Sequence, residues 1–158
     1  MECIVGRGER TLNITRIECI DKLWEKTIDY AKKCSWDGVG EHLAAIMEKN
    51  IFSDWEAVFV VENDNNIIGF CTFMKEDYYP ENRYFPWIST IFVDEQYRGN
   101  RISEKMIDKV VEYAKEKEFS KVYIPSEIKG LYEKYGFVEI DSLVNYAGDI
   151  DNIFMKEI

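Results

Sequence analysis

Apolar residues change their spacing several times along this chain, and each change marks an element. In residues 11–17, Leu12, Ile14 and Ile17 alternate with polar positions, as in a strand with one wet face. After Asp21, read as an N-cap, Leu23, Trp24, Thr27, Ile28 and Ala31 recur at three- and four-residue steps, which predicts a helix through residue 34. A second short helix is expected over 41–49, behind Gly38 and Gly40. Ser53-Asp54-Trp55-Glu56 has the spacing of a capping box, which usually opens a helix. The residues that follow, Ala57-Val58-Phe59-Val60-Val61, are β-branched and aromatic, so a strand is expected instead.

The middle of the chain is clearer. Strands at 58–62 and 67–75 flank Asn63-Asp64-Asn65-Asn66, a hairpin signal. Another apolar strand is expected at 87–93. Positions 102, 106, 107, 110, 111 and 114 trace one face of a helix over 102–117. Val122-Tyr123-Ile124 reads as a short buried strand ended by Pro125. A further helix is expected over about 127–135, stopped by Gly136, then strands at 137–140 and 152–155. The order β-α-α-β-β-β-α-β-α-β-β predicts an α+β protein, with a mixed central sheet of about six to seven strands flanked by about four helices. No repeat, linker or low-complexity tract interrupts it, so residues 1–158 read as one domain.

Composition narrows the function classes. Hydrophobic residues at 46% and aromatics at 15% suffice for a packed core and exclude a disordered chain. A net charge of -10, without a Lys/Arg run, argues against nucleic-acid and anionic-membrane partners. It would draw in cations, protonated amines included, although solubility alone explains it equally. Cys3, Cys19, Cys34 and Cys71 form no Cys-x-x-Cys pair and read as thiols in a reducing compartment. With His42 the single histidine, no metal site is expected. The polar N-terminus and the lack of a long apolar run predict a cytoplasmic protein.

The candidate chemistry lies in Ile91-Phe92-Val93-Asp94-Glu95-Gln96-Tyr97-Arg98-Gly99-Asn100-Arg101-Ile102-Ser103. A strand passes through a polar turn into a helix, gathering backbone N–H groups at the helix's positive end, a candidate phosphate or pyrophosphate site. A nucleotide-binding enzyme of another kind is disfavoured, because Gly99 stands without a Gly-x-Gly-x-x-Gly or a Walker lysine loop.

Together with Gly130-Leu131-Tyr132-Glu133-Lys134-Tyr135-Gly136-Phe137, this segment resembles the GNAT superfamily of N-acetyltransferases. The family's coenzyme loop is written Arg/Gln-x-x-Gly-x-Gly/Ala. Arg98 fits its first position, Arg101 replaces the central glycine and Ser103 the last small residue. Leu131, Tyr132, Gly136 and Phe137 fit the second block. Cys34-Ser35-Trp36, Gly69-Phe70-Cys71-Thr72-Phe73 and residues 97–104 resemble a bacterial subgroup, a likeness that supplies no acceptor.

The resemblance implies acetyl-CoA as co-substrate, without a metal. Backbone amides of Gly99, Asn100, Arg101, Ile102, Ser103 and Glu104 would hold its pyrophosphate, while Arg98 either adds a charge-assisted contact or serves a structural ion pair. Ile91, Phe92 and Val93 would pair through their backbone with the pantetheine arm, one N–H polarising the thioester carbonyl. Arg101 is strained if it needs positive φ; in the helical region its guanidinium reaches a phosphate or water. Where the family often has an asparagine this chain has Pro125, leaving Ser126 to supply any side-chain hydrogen bond.

Tyr132 matches the tyrosine that commonly protonates the departing thiolate; packing is its alternative role. For the general base, Glu41, His42, Glu76, Asp77 and a water relay stay open, and the 87–93 strand itself offers only Ser89 and Thr90. The acceptor pocket would draw on Trp36, Tyr78, Tyr79, Phe85, Trp87 and Tyr146, with Asp37, Glu41, Asp77 and Glu81. Trp36 and Trp87 are expected in the core. Aromatics with carboxylates suit a cationic amine; polyamine, aminoglycoside-like and peptide amines all stay open. The implied function is acetyl transfer to a primary amine in a ternary complex. The alternative, motivated by Arg101, Ser103, Pro125 and the missing base, is a non-catalytic GNAT-like module binding CoA or a protein. Homodimers are common among relatives of this fold.

Overall fold

The alternating and helical patterns resolve into one seven-stranded sheet in a computed structural model that describes residues 12–158. Cys3 and Thr11 lie outside the described residues. The elements are β1 (Leu12–Ile17), α1 (Lys22–Lys33), α2 (Val39–Lys49), β2 (Ala57–Asn63), β3 (Asn66–Met74), β4 (Trp87–Val93), α3 (Ile102–Glu116), β5 (Lys121–Ser126), β6 (Val138–Val144) and β7 (Ile150–Glu157). Short 3-10 turns occupy Glu95–Tyr97 and Tyr132–Tyr135. The strand order is β1-β2-β3-β4-β5-β7-β6, antiparallel except between β4 and β5.

Local chemistry explains most of this. β2 and β3 turn through Asp64 (φ 50°) and Asn65 (φ 69°), two left-handed residues that match the twist of a two-residue hairpin. Along α3, Ile102, Met106, Ile107, Val110 and Ala114 are buried against one face of the sheet, with Phe59, Phe73, Ile124 and Phe154. The opposite face carries Val58, Val60, Phe70 and Phe92, covered by Trp24, Ile28 and Ala31 of α1 and Leu43, Ala44 and Met47 of α2. Beyond β4 that second face is closed by Trp87, Ile153 and Leu143 under Tyr79.

Four expectations need correction. The helix expected over 127–135 is only the 3-10 turn at 132–135, so three α-helices flank the sheet among the described residues. Side chains take the backbone donors a helix would need: Ser126 Oγ accepts from Ile128 N at 2.9 Å, and Glu133 accepts from Gly130 N at 2.9 Å. β5 does not stop at Pro125 but runs through it to Ser126, paired with β7. Asp21 stands at the N-cap of α1, yet its carboxylate turns back to accept from Glu18 N at 2.7 Å. Trp87 is fully buried as expected, whereas Trp36 is 40% exposed.

Candidate active site

The parallel pair β4–β5 holds together at one point. Trp87 is in register with Tyr123, and Tyr123 N donates to Pro86 O at 3.0 Å; beyond it β4 pairs only with β3, and β5 only with β7. The two strands therefore part, and their facing main-chain groups are left for another partner. The proline in β5 fits this opening. Since Tyr123 directs its N–H toward β4, strand alternation puts the N–H that Pro125 lacks on the same unpaired edge. No bond to β7 is lost.

A bulge sits inside the opening. Pairing with β3 passes from Phe70↔Phe92 to Thr72↔Ser89, so Thr90 and Ile91 together face Cys71. Thr90 has φ 54°, an outlier for a β-branched residue. Thr72 holds it there, its hydroxyl donating to Ser89 O at 3.2 Å and lying 3.3 Å from Thr90 Oγ1. Such a bulge re-aims the main chain around it, here that of Ile91, Phe92 and Val93. Phe92 is buried, whereas Ile91 and Val93 are half-buried and pack on the α3 side. Gly69 makes room for the bulged strand, because a Cβ there would lie 2.4 Å from Phe92 O.

The chain then enters the polar turn. Asp94 caps it, accepting from Gln96 N at 3.2 Å, and Tyr30 of α1 hydrogen bonds to Asp94 at 3.4 Å. Burial first, then Asp94, push the Tyr30 hydroxyl well above the usual phenol range. A cavity of about 280 Å³ lies here, between Tyr30, Lys33 and Cys34 and the turn at 94–96. Arg98 folds back: its Nε donates to Val93 O at 2.9 Å and its guanidinium lies 5.6 Å from the Phe92 ring centroid. It thus makes a main-chain clasp rather than the ion pair that was one of its two expected roles.

Gly99 (φ 86°) and Arg101 (φ 57°, ψ 29°) are both left-handed, and Ile102 begins α3. A left-handed residue followed by a right-handed one turns successive N–H groups to one side, forming a nest for an anion. Among the described residues, none accepts a hydrogen bond from the backbone N–H groups of 99–104. The side chains are engaged elsewhere. Asn100 Nδ2 donates to Tyr97 O at 3.0 Å, and Ser103 Oγ lies 3.0 Å from the Tyr135 hydroxyl. Arg101 grips Glu104 through Nε and Nη2 at 2.6 and 2.8 Å and lies 5.9 Å from the Tyr135 ring centroid. That contact holds the Glu104 carboxyl below its usual range. Arg101 therefore carries the backbone strain the sequence foreshadowed, while its charge is balanced within the first turn of α3.

Tyr132 packs on the α3 side of the opening, against Tyr135, Phe137 and Phe154. It is 8% exposed, its hydroxyl takes no partner among the described residues, and that oxygen retains solvent contact. Burial pushes the phenol up to about 12, with smaller contributions from Tyr135 and Cys71. Ser126, expected to point into the opening, spends its hydroxyl on its own turn, donating to Ile128 O at 3.3 Å and accepting from Ile128 N.

On the α1/α2 side the loop between β3 and β4 meets the loop between β6 and β7. Tyr78 and Tyr146, both exposed, set their rings edge to face at 5.4 Å, and Tyr146 N donates to Tyr78 O at 3.2 Å. Tyr79 donates to Asp151 at 2.8 Å, as does Asn145 Nδ2 at 3.1 Å. Burial, and then this carboxylate, drive the Tyr79 hydroxyl far up. Asp77 accepts from the Ser89 hydroxyl and from Tyr78 N. Burial raises its carboxyl, the Ser89 and Tyr78 hydrogen bonds oppose this, Asp151 adds to the rise and His42 lowers it. Trp36 stacks on Phe92 at 6.4 Å. Asp37, Glu41, His42, Glu76, Glu81 and Phe85 are exposed. Asp151, Asn145 and the Asp77–Ser89 contact were not singled out from sequence; no motif marks them, because they meet only when the two loops fold together. No group of residues suited to a metal ion occurs among the described residues.

Comparison with known proteins agrees with this geometry. The family described as Acetyltransferase (GNAT) domain matches residues 54–139, more than half of the chain. No curated protein matches. Among solved structures, a GNAT family acetyltransferase from Elizabethkingia anophelis with acetyl-CoA bound superposes with a TM-score of 0.64 at 17% identity, covering 93% of this chain and 98% of that one. Aminoglycoside 6'-acetyltransferase type Ii gives 0.70 at 14% identity, covering 92% and 96%. A chain of the NatC complex bound to Gag peptide and CoA gives 0.63 at 12%, covering 93% and 98%. At such identities the likeness is one of fold.

Proposed function

The chain belongs to the GNAT acetyltransferase family, and on that premise we propose that it is an acetyl-CoA-dependent N-acetyltransferase, with residues 1–158 acting as one domain. The acetyl group would pass to a primary amine of a small cationic molecule or peptide by direct attack in a ternary complex. One observation carries the reading: β4 and β5 part after a single pair, beside a run of unclaimed N–H groups at the start of α3.

In this reading the N–H groups of Gly99, Asn100, Arg101, Ile102, Ser103 and Glu104 take the CoA pyrophosphate, helped by the helix dipole. Arg98 fixes the end of β4. The backbone of Ile91, Phe92 and Val93 pairs with the pantetheine arm, and an N–H beside the bulge polarises the thioester carbonyl as charge develops on it. Ser126 ends the facing β5 wall, its main chain directed to β7. The amine nitrogen attacks, the C–S bond breaks, and Tyr132 gives its proton to the sulfur. Burial keeps the phenol protonated at neutral pH, and the same dry surroundings raise the basicity of the departing thiolate.

Of the features that motivated a non-catalytic alternative (Arg101, Ser103, Pro125 and the missing base), the first and third are compatible with coenzyme binding. Arg101 adopts the left-handed conformation a glycine would take, and Pro125 lacks an N–H only on the open edge. The acceptor class is supported by Tyr78, Tyr146 and Trp36, which are exposed, as are the carboxylates of Asp37, Glu41 and Glu81; such groups offer cation–π contact and charge attraction. The fold is shared with proteins whose names include an aminoglycoside and a peptide complex, and both acceptor types belong to the proposal. We place the protein in the cytoplasm, which the unbridged Cys19, Cys34 and Cys71 support. Among the described residues no helix is long and apolar enough to cross a membrane.

The test is thermal unfolding with acetyl-CoA, NAD and ATP. Acetyl-CoA at 100 times its dissociation constant adds about 2.7 kcal/mol, which for a domain of this size raises Tm by roughly 5–10 °C. No shift with acetyl-CoA would end the reading.

A further inference from the structure

We propose that Asp77 is the proton acceptor for the incoming amine, reached through the hydroxyl of Ser89. The proposal rests on the acetyltransferase reading and supplies the base that no carboxylate on β4 provides. Ser89 lies inside the opening, two residues past the last β4–β5 pair and immediately before the bulge at Thr90. Two residues of strand span at most roughly 7 Å, and the bulge at Thr90 shortens this, so Ser89 lies within one substrate amine of the N–H groups near Ile91 that would polarise the thioester. Its register with Thr72 puts its side chain on the α1/α2 face of the sheet. Tyr132 packs on the α3 face. Proton removal from the amine and proton return to the sulfur thereby sit on opposite faces of one opening.

The other candidates lack this connection. Glu41, His42 and Glu76 are exposed, and among the described residues Asp77 is the carboxylate that accepts from a β4 side chain. Asp77 is fixed: one carboxylate oxygen accepts from Ser89 Oγ and the other from Tyr78 N at 2.6 Å. The titratable groups facing it are His42 from α2, Asp151 from β7, and Tyr79 from its own segment. Burial and Asp151 raise the carboxyl above the ordinary carboxylate range, which moves it toward the proton affinity useful near neutral pH.

The proton balance closes. The ammonium loses one proton to Ser89 Oγ as Ser89 passes its own to Asp77, leaving a neutral amine. The amine forms the N–C bond to the acetyl carbon, the C–S bond breaks, and Tyr132 protonates the thiolate. The second nitrogen proton restores Tyr132 through water, and Asp77 releases its proton to solvent, giving amide, free CoA and one proton.

The experiment measures release of free CoA from acetyl-CoA with spermidine, kanamycin or a short peptide bearing a free N-terminus, across pH 5–9. Asp77→Asn is expected to lower kcat/KM for the amine by about 10²–10³-fold at neutral pH and to remove the acid limb of the profile, with the thermal shift by acetyl-CoA unchanged. Ser89→Ala, which leaves the carboxylate in place, is expected to lower kcat/KM comparably and provides the test should Asp77→Asn not fold. An Asp77→Asn profile matching the wild type, or a fully active Ser89→Ala, overturns this proposal while leaving the acetyltransferase reading intact. A wild type that releases CoA with none of these amines overturns both.

Discussion

On the α3 side of the opening, residues 98–104 engage their polar side chains within the protein, and those from 99 onward leave main-chain N–H groups unclaimed among the described residues. On the α1/α2 side the material is reversed: Asp77, Ser89, Tyr79, Asn145 and Asp151 meet through side chains. Main-chain recognition depends on φ and ψ, so an arginine can stand where the family's loop pattern has glycine, provided the conformation is kept. Side-chain recognition depends on the identity of each group and on two loops meeting in space. On the proposed reading the first surface serves an invariant coenzyme, the second an acceptor that differs between enzymes.

The two surfaces share one apex, and removing it should break both. Trp87→Ala deletes a fully buried side chain at the only β4–β5 pair and is expected to cost about 3–5 kcal/mol in urea unfolding. Stabilisation by acetyl-CoA and amine turnover should fall together; loss of one alone would mean the apex does not serve both.

Tyr132→Phe probes the α3 side. Turnover should fall by roughly 10²-fold with acetyl-CoA affinity little changed. The same variant has a pH signature. With the folded phenol raised to about 12 and an unfolded value near 10, Tyr132 contributes stability below pH 10 that is lost as pH rises to 12. Wild type should therefore lose about 2 kcal/mol more than Tyr132→Phe over that interval. Equal alkaline losses would mean the phenol is not buried.

Tyr79→Phe probes the other side. Losing its hydrogen bond to Asp151 should cost about 1–2 kcal/mol and raise KM for the amine several-fold, leaving acetyl-CoA affinity unchanged. A weakened coenzyme affinity would erase the division of labour between the faces. The smallest effect is expected of Arg101→Gly. If the coenzyme is held by main chain, its affinity should change less than about threefold in a calorimetric titration. A tenfold loss would make the guanidinium a ligand.

How far the sequence disclosed these features follows from the same contrast. Asp64-Asn65 announced a left-handed hairpin turn because short polar residues tolerate that backbone locally. The 102–114 stripe announced α3 because helical periodicity is local as well. Ser53 and Glu56 form one of the two capping-box hydrogen bonds without a helix: Ser53 N donates to Glu56 Oε1 at 3.0 Å, but the Ser53 hydroxyl donates to the same oxygen at 2.9 Å and Glu56 N donates to the Ser53 carbonyl at 2.8 Å. The second Glu56 oxygen binds Lys75 N at 2.9 Å, and the strand-forming residues at 57–61 override the box. The motif was legible, but its consequence depended on what came next. At 127–135 a few side-chain bonds to backbone donors converted an expected helix into a turn.

Sequence alone determined most of the elements, the strand–turn–helix at 91–103 and the family, because each is written in contiguous residues whose spacing and backbone preferences act over a few positions. Tertiary structure decided where Trp36 lies, which edge of β5 Pro125 leaves without an N–H, and that Asp77 meets Ser89. Those outcomes depend on strands and loops separated by 12 residues or more along the chain, and spacing within a segment carries no information about partners that only packing brings together.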